Sequence, residues 1–452
     1  MARYRKNRTK KLVAVLVVLL VVLSIAAVAL TLNDPGEPEL KLPVETQPTI
    51  QTTEPITEPP VTEPPTEPPV TLVSAATISA TGDMLMHLPV IKAAKTGDGY
   101  DFTPAFEHLT GYIQKADYAV ANLETTLAGL DNGYEYSGYP AFNCPDDIVT
   151  GVQNAGFDML LTANNHCYDT RTKGFHRTLE VLDEAGMDHI GTVADEETAQ
   201  YLVKDINGIQ IGMVCYTYED AEAPDVVAPN GITMNNADEG LINTFFSGDL
   251  DTFYTRIQGQ IADMEAQGAE AIVVYIHWGV EYQLEENKTQ NTIAQKLCDL
   301  GVDVIVGGHP HVIQPMELLT STENEAHKTL CIYSTGNALS NQRRDLMRLD
   351  TGHTEDGIFF NFTFCKYSDG TVRVEKADVL PTWVYKYRND GKDAYTVYPL
   401  DAQVEDWKTQ FDMSTSVEKE ARASFDRTMK IVGDGLTQIQ DYLNTLPAVA
   451  EE

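Results

Sequence analysis

Two histidines separated by one residue follow a short apolar run. His309 and His311 lie in the sequence GGHPHV at 307–312, directly after Val302–Val306. Such a run predicts a buried strand, and neutral imidazoles at positions i and i+2 can bind one transition-metal ion. An isolated H-x-H motif is equally compatible with one packed and one exposed histidine. Its neighbours in the fold must therefore decide between the two interpretations.

The same arrangement recurs in four other places, where an apolar run ends in residues that can bind a metal. These are Thr77–Ala80 before Asp83, Tyr118–Ala121 before Glu124, Met159–Leu161 before Asn165 and His166, and Ile272–Ile276 before His277. In an open α/β sheet, residues distant in sequence meet beyond the carboxyl ends of the strands. Carboxylates, imidazoles and an amide oxygen suit a pair of divalent ions such as Mn, Fe or Zn. The predicted cluster comprises Asp83, Glu124, Asn165, His166, His277, His309 and His311.

Alternating strand-like and helix-like segments surround these residues between 73 and 400, a length that suits one large α/β domain. The other strand-like segments are Ile209–Thr217, Leu330–Ser334, Ile358–Cys365 and Val372–Leu380, the last two forming a hairpin that turns at 368–370. The helix-like segments are Asp146–Asn154, Lys173–Glu184, Asp251–Ala266 and Thr289–Leu300. We predict a two-sheet α/β sandwich flanked by helices.

The segment 401–452 forms a separate predicted unit. It is helix-like from Glu405 to Leu446, with a capping box at Thr415–Glu418. No residue in it has obvious chemistry. A packing or oligomerising role is the expectation.

The amino terminus predicts a membrane anchor. Residues 1–11 contain six basic residues, and the apolar segment 12–32 is close to the ~20 residues that span a bilayer. Because basic residues stay inside the cell, we expect a single-pass protein with its large domain outside. Ala27–Ala29 offers an A-x-A cleavage pattern, so a cleaved, secreted form is the alternative.

Residues 33–72 are rich in Pro, Thr and Glu, with near repeats of the type TEPP at 57–60, 62–65 and 66–69. Such a segment cannot bury a core and favours extended geometry, so it could reach up to about 120 Å at ~3.1 Å per residue. We predict a disordered spacer that lifts the domain off the membrane.

The motif order GD, NLE, NNH, HWG and GHPH, followed by YSTGN at 333–337, resembles the CapA or PgsA-type poly-γ-glutamate capsule biosynthesis proteins. That family belongs to the calcineurin-like metallophosphatase superfamily, and the resemblance covers roughly residues 75 to 385. It implies a metallophosphatase-like fold and two divalent ions. The metal ligands that it implies are Asp83, His277, His309, His311 and Asn165, with Glu124 in place of the bridging aspartate of the superfamily. It also implies that His166 contacts the substrate or protonates its leaving group.

The chain departs from the superfamily pattern at its first motif, D-x-H, because position 85 is Leu85. The nearest histidine is His87, whose spacing from Asp83 does not guarantee that both reach one ion. One metal position is therefore expected to be weaker or empty. Glu281, four residues after His277, could orient that histidine or a substrate, and Asn337 in YSTGN is a further possible site residue.

The charge of the chain limits its partners. Six of the 32 basic residues precede Leu12 and none of the 67 acidic residues does, so the remainder has a formal charge of −41. A domain this acidic repels nucleic acid, and it repels a polyanionic polymer unless metals or local basic residues reverse the field. Arg343, Arg344 and Arg348 form the candidate positive patch, with a solvated surface cluster as the alternative.

Three functions agree with these observations. The first is a membrane-anchored component of poly-γ-glutamate capsule synthesis or export, which acts on the polymer or a precursor and has other capsule proteins as partners. The second is a cell-surface metallophosphoesterase with an unrelated substrate. The third is a scaffold without enzymatic activity.

Six cysteines are scattered without a C-x-x-C motif, which predicts buried free thiols even outside the cell. Cys167 follows His166 directly and could be a nucleophile. No second feature supports that role.

Overall fold

The computed structural model describes residues 69–220, 226–349 and 351–447. The predicted membrane segment 12–32 and nearly all of the predicted spacer lie outside these residues. None of the described helices has both the length and the apolar character needed to cross a membrane. The first strand begins at Leu72, where the predicted spacer ends.

Strands and short helices alternate along the described chain. The strands are β1 (Leu72–Leu85), β2 (Lys95–Thr96), β3 (Gly99–Tyr100), β4 (Tyr118–Glu124), β5 (Met159–Leu161), β6 (Asp188–Ile190), β7 (Tyr201–Ile206), β8 (Ile209–Tyr218), β9 (Thr244–Phe245), β10 (Ala271–His277), β11 (Val304–Gly308), β12 (Met316–Thr320), β13 (Lys328–Ile332), β14 (Asn337–Leu339), β15 (Asp356–Tyr367), β16 (Val372–Asn389) and β17 (Lys392–Pro399). The α-helices are α1 (Leu88–Ala93), α2 (Thr103–Phe106), α3 (Thr110–Ile113), α4 (Asp147–Ala155), α5 (Arg171–Ala185), α6 (Leu250–Ala266), α7 (Lys288–Asp299), α8 (Arg344–Met347), α9 (Trp407–Gln410) and α10 (Thr415–Leu443).

Two large sheets form the centre of the domain. The first has the strand order β17-β16-β15-β1-β4-β5-β6, with β14 paired to β1. The second has the order β12-β13-β11-β10-β8-β7, with β9 paired to β8. β1, β4 and β5 are mutually parallel, and so are β8, β10 and β11. Parallel neighbours end at the same edge of their sheet, so the polar residues that follow these strands are brought together.

Apolar layers between and outside the two sheets hold the sheets and helices in place. The layer between the sheets includes Ile78 and Val120 from the first sheet and Val273 and Val306 from the second. The helices α1 to α4 cover the outer face of the first sheet, whereas α6 and α7 cover that of the second. Side chains on successive residues of a strand point to opposite faces, which is why β1 alternates between these layers.

The structure confirms the predicted α/β arrangement of two sheets flanked by helices. The four predicted helices correspond to α4 to α7, and the predicted hairpin is β15 and β16. β16 continues to Asn389 and pairs with β17, whereas the sequence prediction ended at Leu380. The residues from Pro381 to Val384 are still buried, and the backbone pairing continues across them and beyond.

The predicted helix Glu405–Leu446 is two helices, α9 and α10, and its predicted cap is wrong. Ser414 is the N-cap, and its Oγ accepts a hydrogen bond from the Val417 amide at 3.3 Å. Thr415 is therefore the first helical residue. Both hydroxyl residues suit a cap, so the choice depends on how the chain enters the helix.

Candidate metal centre

Five of the predicted ligands lie at the carboxyl ends of strands from both sheets. Asp83 is near the end of β1, Glu124 ends β4, His277 ends β10, and His309 and His311 directly follow β11. All five side chains are buried, with at most 3 % of each residue exposed. The convergence predicted from the strand ends is therefore present in the fold.

The glycines of the GGHPH motif make this approach possible. A Cβ atom at Gly308 would lie 3.0 Å from Asp83 Oδ1, and one at Gly307 would lie 2.0 Å from the Tyr333 carbonyl oxygen. The next residues are strained, since His309 has φ 94° and His311 has φ 55°. Positive φ in non-glycine residues costs about 1–3 kcal/mol and is concentrated at functional sites. The loop conformation that holds both imidazoles inward therefore lowers the stability of the fold.

Asp83 and His311 form a buried pair. Asp83 Oδ2 lies 3.0 Å from His311 Nδ1 and accepts the His309 amide at 3.2 Å. Burial opposes ionisation of Asp83, but the hydrogen bond and charge of His311 outweigh it and lower the pKa of Asp83 below its usual value. Burial likewise opposes charging of His311, yet Glu124 and Asp83 raise its pKa to about 9. Each side chain of the pair therefore favours the ionised form of the other.

Two buried ligand atoms have no hydrogen-bond partner, namely Glu124 Oε1 and His309 Nδ1. Glu124 Oε1 lies 3.5 Å from His277 Nε2 and 3.6 Å from His311 Nε2. These distances are long for hydrogen bonds, but two ligands of one tetrahedral ion at ~2.0–2.2 Å lie roughly 3.3–3.6 Å apart. An ion would thus satisfy atoms that the protein leaves open.

The ligand atoms fall into two groups that share one residue. Glu124, His309 and His311 form the first, and Asp83, Glu124 and His277 form the second, with all ligand atoms of a group within 4.8 Å of one another. Carboxylate oxygens and imidazole nitrogens suit Zn, Mn or Fe. The described residues therefore offer two candidate ligand groups for divalent metal, and Glu124 belongs to both.

Asn122 is a central residue that the sequence prediction missed. Its Nδ2 donates to Asp83 Oδ1 at 2.8 Å and to Glu124 Oε2 at 3.2 Å. Asn164 fixes this orientation, because its Nδ2 donates to Asn122 Oδ1 and its Oδ1 accepts the His166 amide. Asn122 thus aligns the carboxylates of two strands. The NLE motif was a signal for it, but only the glutamate was assigned.

The side chains of Asn165 and His166, in the loop after β5, have different partners. Asn165 Oδ1 lies 2.9 Å from His277 Nε2, which brings it to the ligand cluster. His166 Nδ1 lies 2.8 Å from Asp169 Oδ2, and its ring packs against Phe142 with centroids 4.6 Å apart. Asp169 also accepts a hydrogen bond from the Phe142 amide at 2.7 Å, so it fixes both His166 and the residue that packs against its ring. The sequence prediction missed Asp169, although its position three residues after His166 was a signal.

The sequence model of the bacterial capsule synthesis protein family PGA_cap matches residues 77–342. The chain belongs to the PGA_cap family. The capsule biosynthesis protein CapA of Bacillus anthracis is 27 % identical over 273 residues, 59 % of this chain and 60 % of that protein. The PGA biosynthesis protein CapA of Bacillus subtilis is 25 % identical over 348 residues, 75 % of this chain and 82 % of that protein.

A crystal structure of a candidate 5'-nucleotidase from Staphylococcus aureus, in complex with alpha-ketoglutarate, aligns with 68 % of this chain and 54 % of that chain. Its sequence identity is 15 % and its TM-score is 0.40. A match this weak adds nothing to the assignment, which depends on the PGA_cap match.

Three further predicted residues lie within the PGA_cap match, but none belongs to the two ligand groups found among the described residues. His87 Nδ1 lies 3.0 Å from the Leu85 carbonyl oxygen, and burial is the main cause that lowers its pKa to about 4. Asn337 Nδ2 donates to the His311 carbonyl at 3.2 Å and so supports the loop. Glu281 is half-buried, and its charge contributes to the raised pKa of His311.

The predicted positive patch of the PGA_cap protein is largely neutralised. Arg343 and Arg344 both pair with the buried Glu355, at 3.2 Å and 2.8 Å. Only Arg348 of the three is exposed. Because Glu355 lies beyond the motif region, the sequence did not indicate this pairing.

The six cysteines are buried and unpaired, as predicted. Burial raises the pKa of the Cys167 thiol far above its usual value. A buried thiol of this kind is inert, so the structure does not support a nucleophilic Cys167.

Proposed function

We propose that this PGA_cap protein is a membrane-anchored component of capsule synthesis whose dinuclear metal centre hydrolyses poly-γ-glutamate or a precursor of it. The main support is Glu124 Oε1, a buried carboxylate oxygen without a hydrogen-bond donor that faces two imidazoles. The names of the relatives, which refer to capsule and PGA biosynthesis, support the choice of pathway.

The protein would supply the metal ligands, and a bound metal would supply an activated water. Asp83, Glu124, His277, His309 and His311 would hold the ions, with Asn165 beside His277. Divalent ions in such a site lower the pKa of a bound water towards neutrality and attract an anionic group of the substrate. Asn122 holds the carboxylates in place through its shared amide group.

His166 is the proposed proton donor to the leaving group. Asp169 accepts the hydrogen bond from His166 Nδ1, which leaves Nε2 free to exchange a proton. Asn230 Nδ2 lies 3.3 Å from Asp169 Oδ1 and helps to fix that carboxylate. A fixed imidazole of this kind is a general acid that needs no rearrangement before proton transfer.

We propose the cellular location and the partners of the site from the rest of the chain. The apolar segment 12–32 and the basic residues before it support a single-pass protein with its domain outside the cell. The net charge of −35 disfavours nucleic acid as a partner. Other capsule synthesis or export proteins in the membrane are the proposed partners.

The first experiment measures metal and hydrolysis together. The full chain is purified in detergent, its bound Mn, Fe and Zn are quantified, and the length of added poly-γ-glutamate is followed by gel electrophoresis. We expect two ions per chain and shortening of the polymer. His309→Ala should lose both, whereas His189→Ala, which changes a histidine that pairs with the exposed Asp183, should retain them.

The outcomes separate the three functions. A protein without stoichiometric metal would contradict the metal centre and favour a scaffold. Hydrolysis of an aryl phosphate that His309→Ala abolishes, with the polymer intact, would favour a phosphoesterase. Loss of capsule in cells that carry His309→Ala, with the protein still in the membrane fraction, would support the proposed role.

A further inference from the structure

The buried carboxylate of Asp356, the first residue of β15, accepts side-chain hydrogen bonds from two residues of helix α10. Arg427 donates to it from Nε at 2.9 Å and from Nη2 at 2.7 Å, and Ser424 Oγ donates to Oδ1 at 2.6 Å. A bidentate guanidinium fixes both the position and the plane of a carboxylate. The start of β15 is therefore attached to the helix.

The start of β15 also supports Asp83. Gly336 and Gly357 form a β-bridge, and a Cβ atom at Gly336 would lie 2.6 Å from the Asp356 carbonyl oxygen. On its other side, the Gly336 carbonyl accepts the Asp83 amide at 3.0 Å. Asp356 and Asp83 are thus separated by one tightly packed glycine, so a shift of the first displaces the second.

A second route leads from the same segment to His311. The Thr354 carbonyl accepts a hydrogen bond from Asn337 Nδ2 at 2.9 Å. The same Nδ2 donates to the His311 carbonyl at 3.2 Å. The residues just before Asp356 therefore hold the loop that carries one ligand, while Asp356 itself supports the strand that carries another.

Helix α10 is itself anchored tightly. Val432 and Ile439 are fully buried in the apolar layer that the two sheets share. A Cβ atom at Gly435 would lie 1.9 Å from the Met316 carbonyl oxygen, so only glycine permits this approach of the helix to β12. Such packing gives Arg427 and Ser424 a fixed place from which to hold Asp356.

We infer that α10, which lies outside the PGA_cap match, is part of the support of the metal centre, with Arg427 and Ser424 as positioning residues. They touch no ligand but set the places of Asp83 and His311 through Asp356 and the segment 354–357. This inference depends on the metal centre of the proposed function. It replaces the sequence expectation of a helix with only a packing or oligomerising role.

The experiment measures the affinity for Zn²⁺ alone, by competition with a chromophoric chelator, in the full chain stripped of metal in detergent. Arg427→Met should weaken binding up to about 10-fold, the lower end of the effect of losing a group bonded to a ligand, because Arg427 acts through Asp356; it should also alter the absorption spectrum of bound Co²⁺. Arg427→Lys keeps the charge and should recover part of the affinity. All variants are compared at a temperature at which circular dichroism shows them folded.

Two control variants separate positioning from general stability. Arg422→Met makes the same change on the exposed side of α10, where Arg422 pairs with Glu418. Val152→Ala removes buried apolar contacts of α4, away from α10, and should lower the melting temperature. Both should bind Zn²⁺ as the wild type does.

Each outcome decides the inference. Unchanged Zn²⁺ binding in Arg427→Met would overturn it and leave the proposed function intact, as would equal weakening in Val152→Ala. Absence of Zn²⁺ binding in the wild type would overturn the metal centre and this inference with it. If Arg427→Met does not fold, Ser424→Ala is judged by the same criteria.

Discussion

Two buried charged clusters lie close together in this protein, and they differ in whether their atoms have partners. In the first, the carboxylate oxygens of Glu355 and Asp356 all accept hydrogen bonds, mainly from Arg344 and Arg427, and Arg343 adds an ion pair with Glu355. In the second, the metal centre, Glu124 Oε1 and His309 Nδ1 have none. We call the first cluster complete, because the protein itself supplies a partner for each carboxylate oxygen. The second is incomplete, because two of its atoms have a partner only when a ligand such as a metal ion binds.

The difference follows from the cations that each cluster uses. Guanidinium groups are always charged and carry several donors, so a few of them satisfy two carboxylates. A neutral imidazole instead presents a lone pair, which neutralises no carboxylate but binds a metal ion, and burial keeps His309 neutral by lowering its pKa well below the usual value. A complete buried cluster indicates structure, whereas an incomplete one that contains both carboxylates and imidazoles indicates a ligand.

The largest effect is expected when the complete cluster is broken. Arg427→Met leaves the buried Asp356 without its main partner and should lower the free energy of unfolding by about 3 kcal/mol at pH 8. Burial raises the pKa of Asp356 to about 6 even beside Arg427. Because Arg427 lowers this pKa, its removal raises the folded-state pKa of Asp356 further. The folded variant then holds a proton that the unfolded chain releases, so its deficit grows as pH rises from 5 to 8. Urea unfolding at both pH values measures this, and an equal, small deficit at both would contradict it.

The next effect concerns the incomplete cluster. Glu124→Gln should change the metal-free stability by less than about 1 kcal/mol, because Glu124 Oε1 makes no hydrogen bond. Zn²⁺ at 100 times its dissociation constant should stabilise the wild type by about 2.7 kcal/mol and should not stabilise this variant. Thermal unfolding with and without Zn²⁺ tests both statements. Glu107→Gln, at an exposed position, is the matched control and should respond as the wild type does.

The same contrast explains how much of the site could be predicted from the sequence. Asp83, Glu124, His277, His309 and His311 were predictable because each follows an apolar run, and the carboxyl ends of parallel strands meet. The complete cluster was not predictable in this way. Asp356 and Arg427 are 71 residues apart, and nothing local to either one indicates the other.

Asn122 and Asp169 were missed for a different reason. An amide or a carboxylate at the end of a strand has many possible partners, and its direction depends on hydrogen bonds made elsewhere. Asn122 points at the two carboxylates because Asn164 occupies its oxygen, and Asp169 points at His166 because it also accepts the Phe142 amide. Supporting residues of a site become visible only when the loops are placed.

A smaller effect is expected from Asn122, which supports the incomplete cluster from outside. Asn122→Ala removes the hydrogen bonds to Asp83 and Glu124 and should weaken Zn²⁺ binding about 10- to 100-fold without abolishing it. Chelator competition measures the affinity. Asn154→Ala, on the exposed side of α4, is the matched control. Full retention of affinity in Asn122→Ala would show that the carboxylates are placed by their strands alone.

No effect on metal binding is expected at Glu219, which tests whether an open carboxylate oxygen is enough to define a ligand site. Glu219 Oε2 is buried and has no hydrogen-bond partner, but no histidine shares a ligand group with it among the described residues. Burial raises the pKa of Glu219 to about 7, so below that pH this carboxyl binds a proton and needs no metal ion. Its folded-state pKa exceeds the unfolded value, so the wild type loses stability as pH rises from about 4.5 to 7. Glu219→Gln should therefore raise the urea midpoint at pH 8 and leave it nearly unchanged at pH 4.5, with no effect on Zn²⁺ binding. If Glu219→Gln weakened Zn²⁺ binding instead, the distinction between an open oxygen and a ligand site would fail, because the imidazoles would no longer be what separates them.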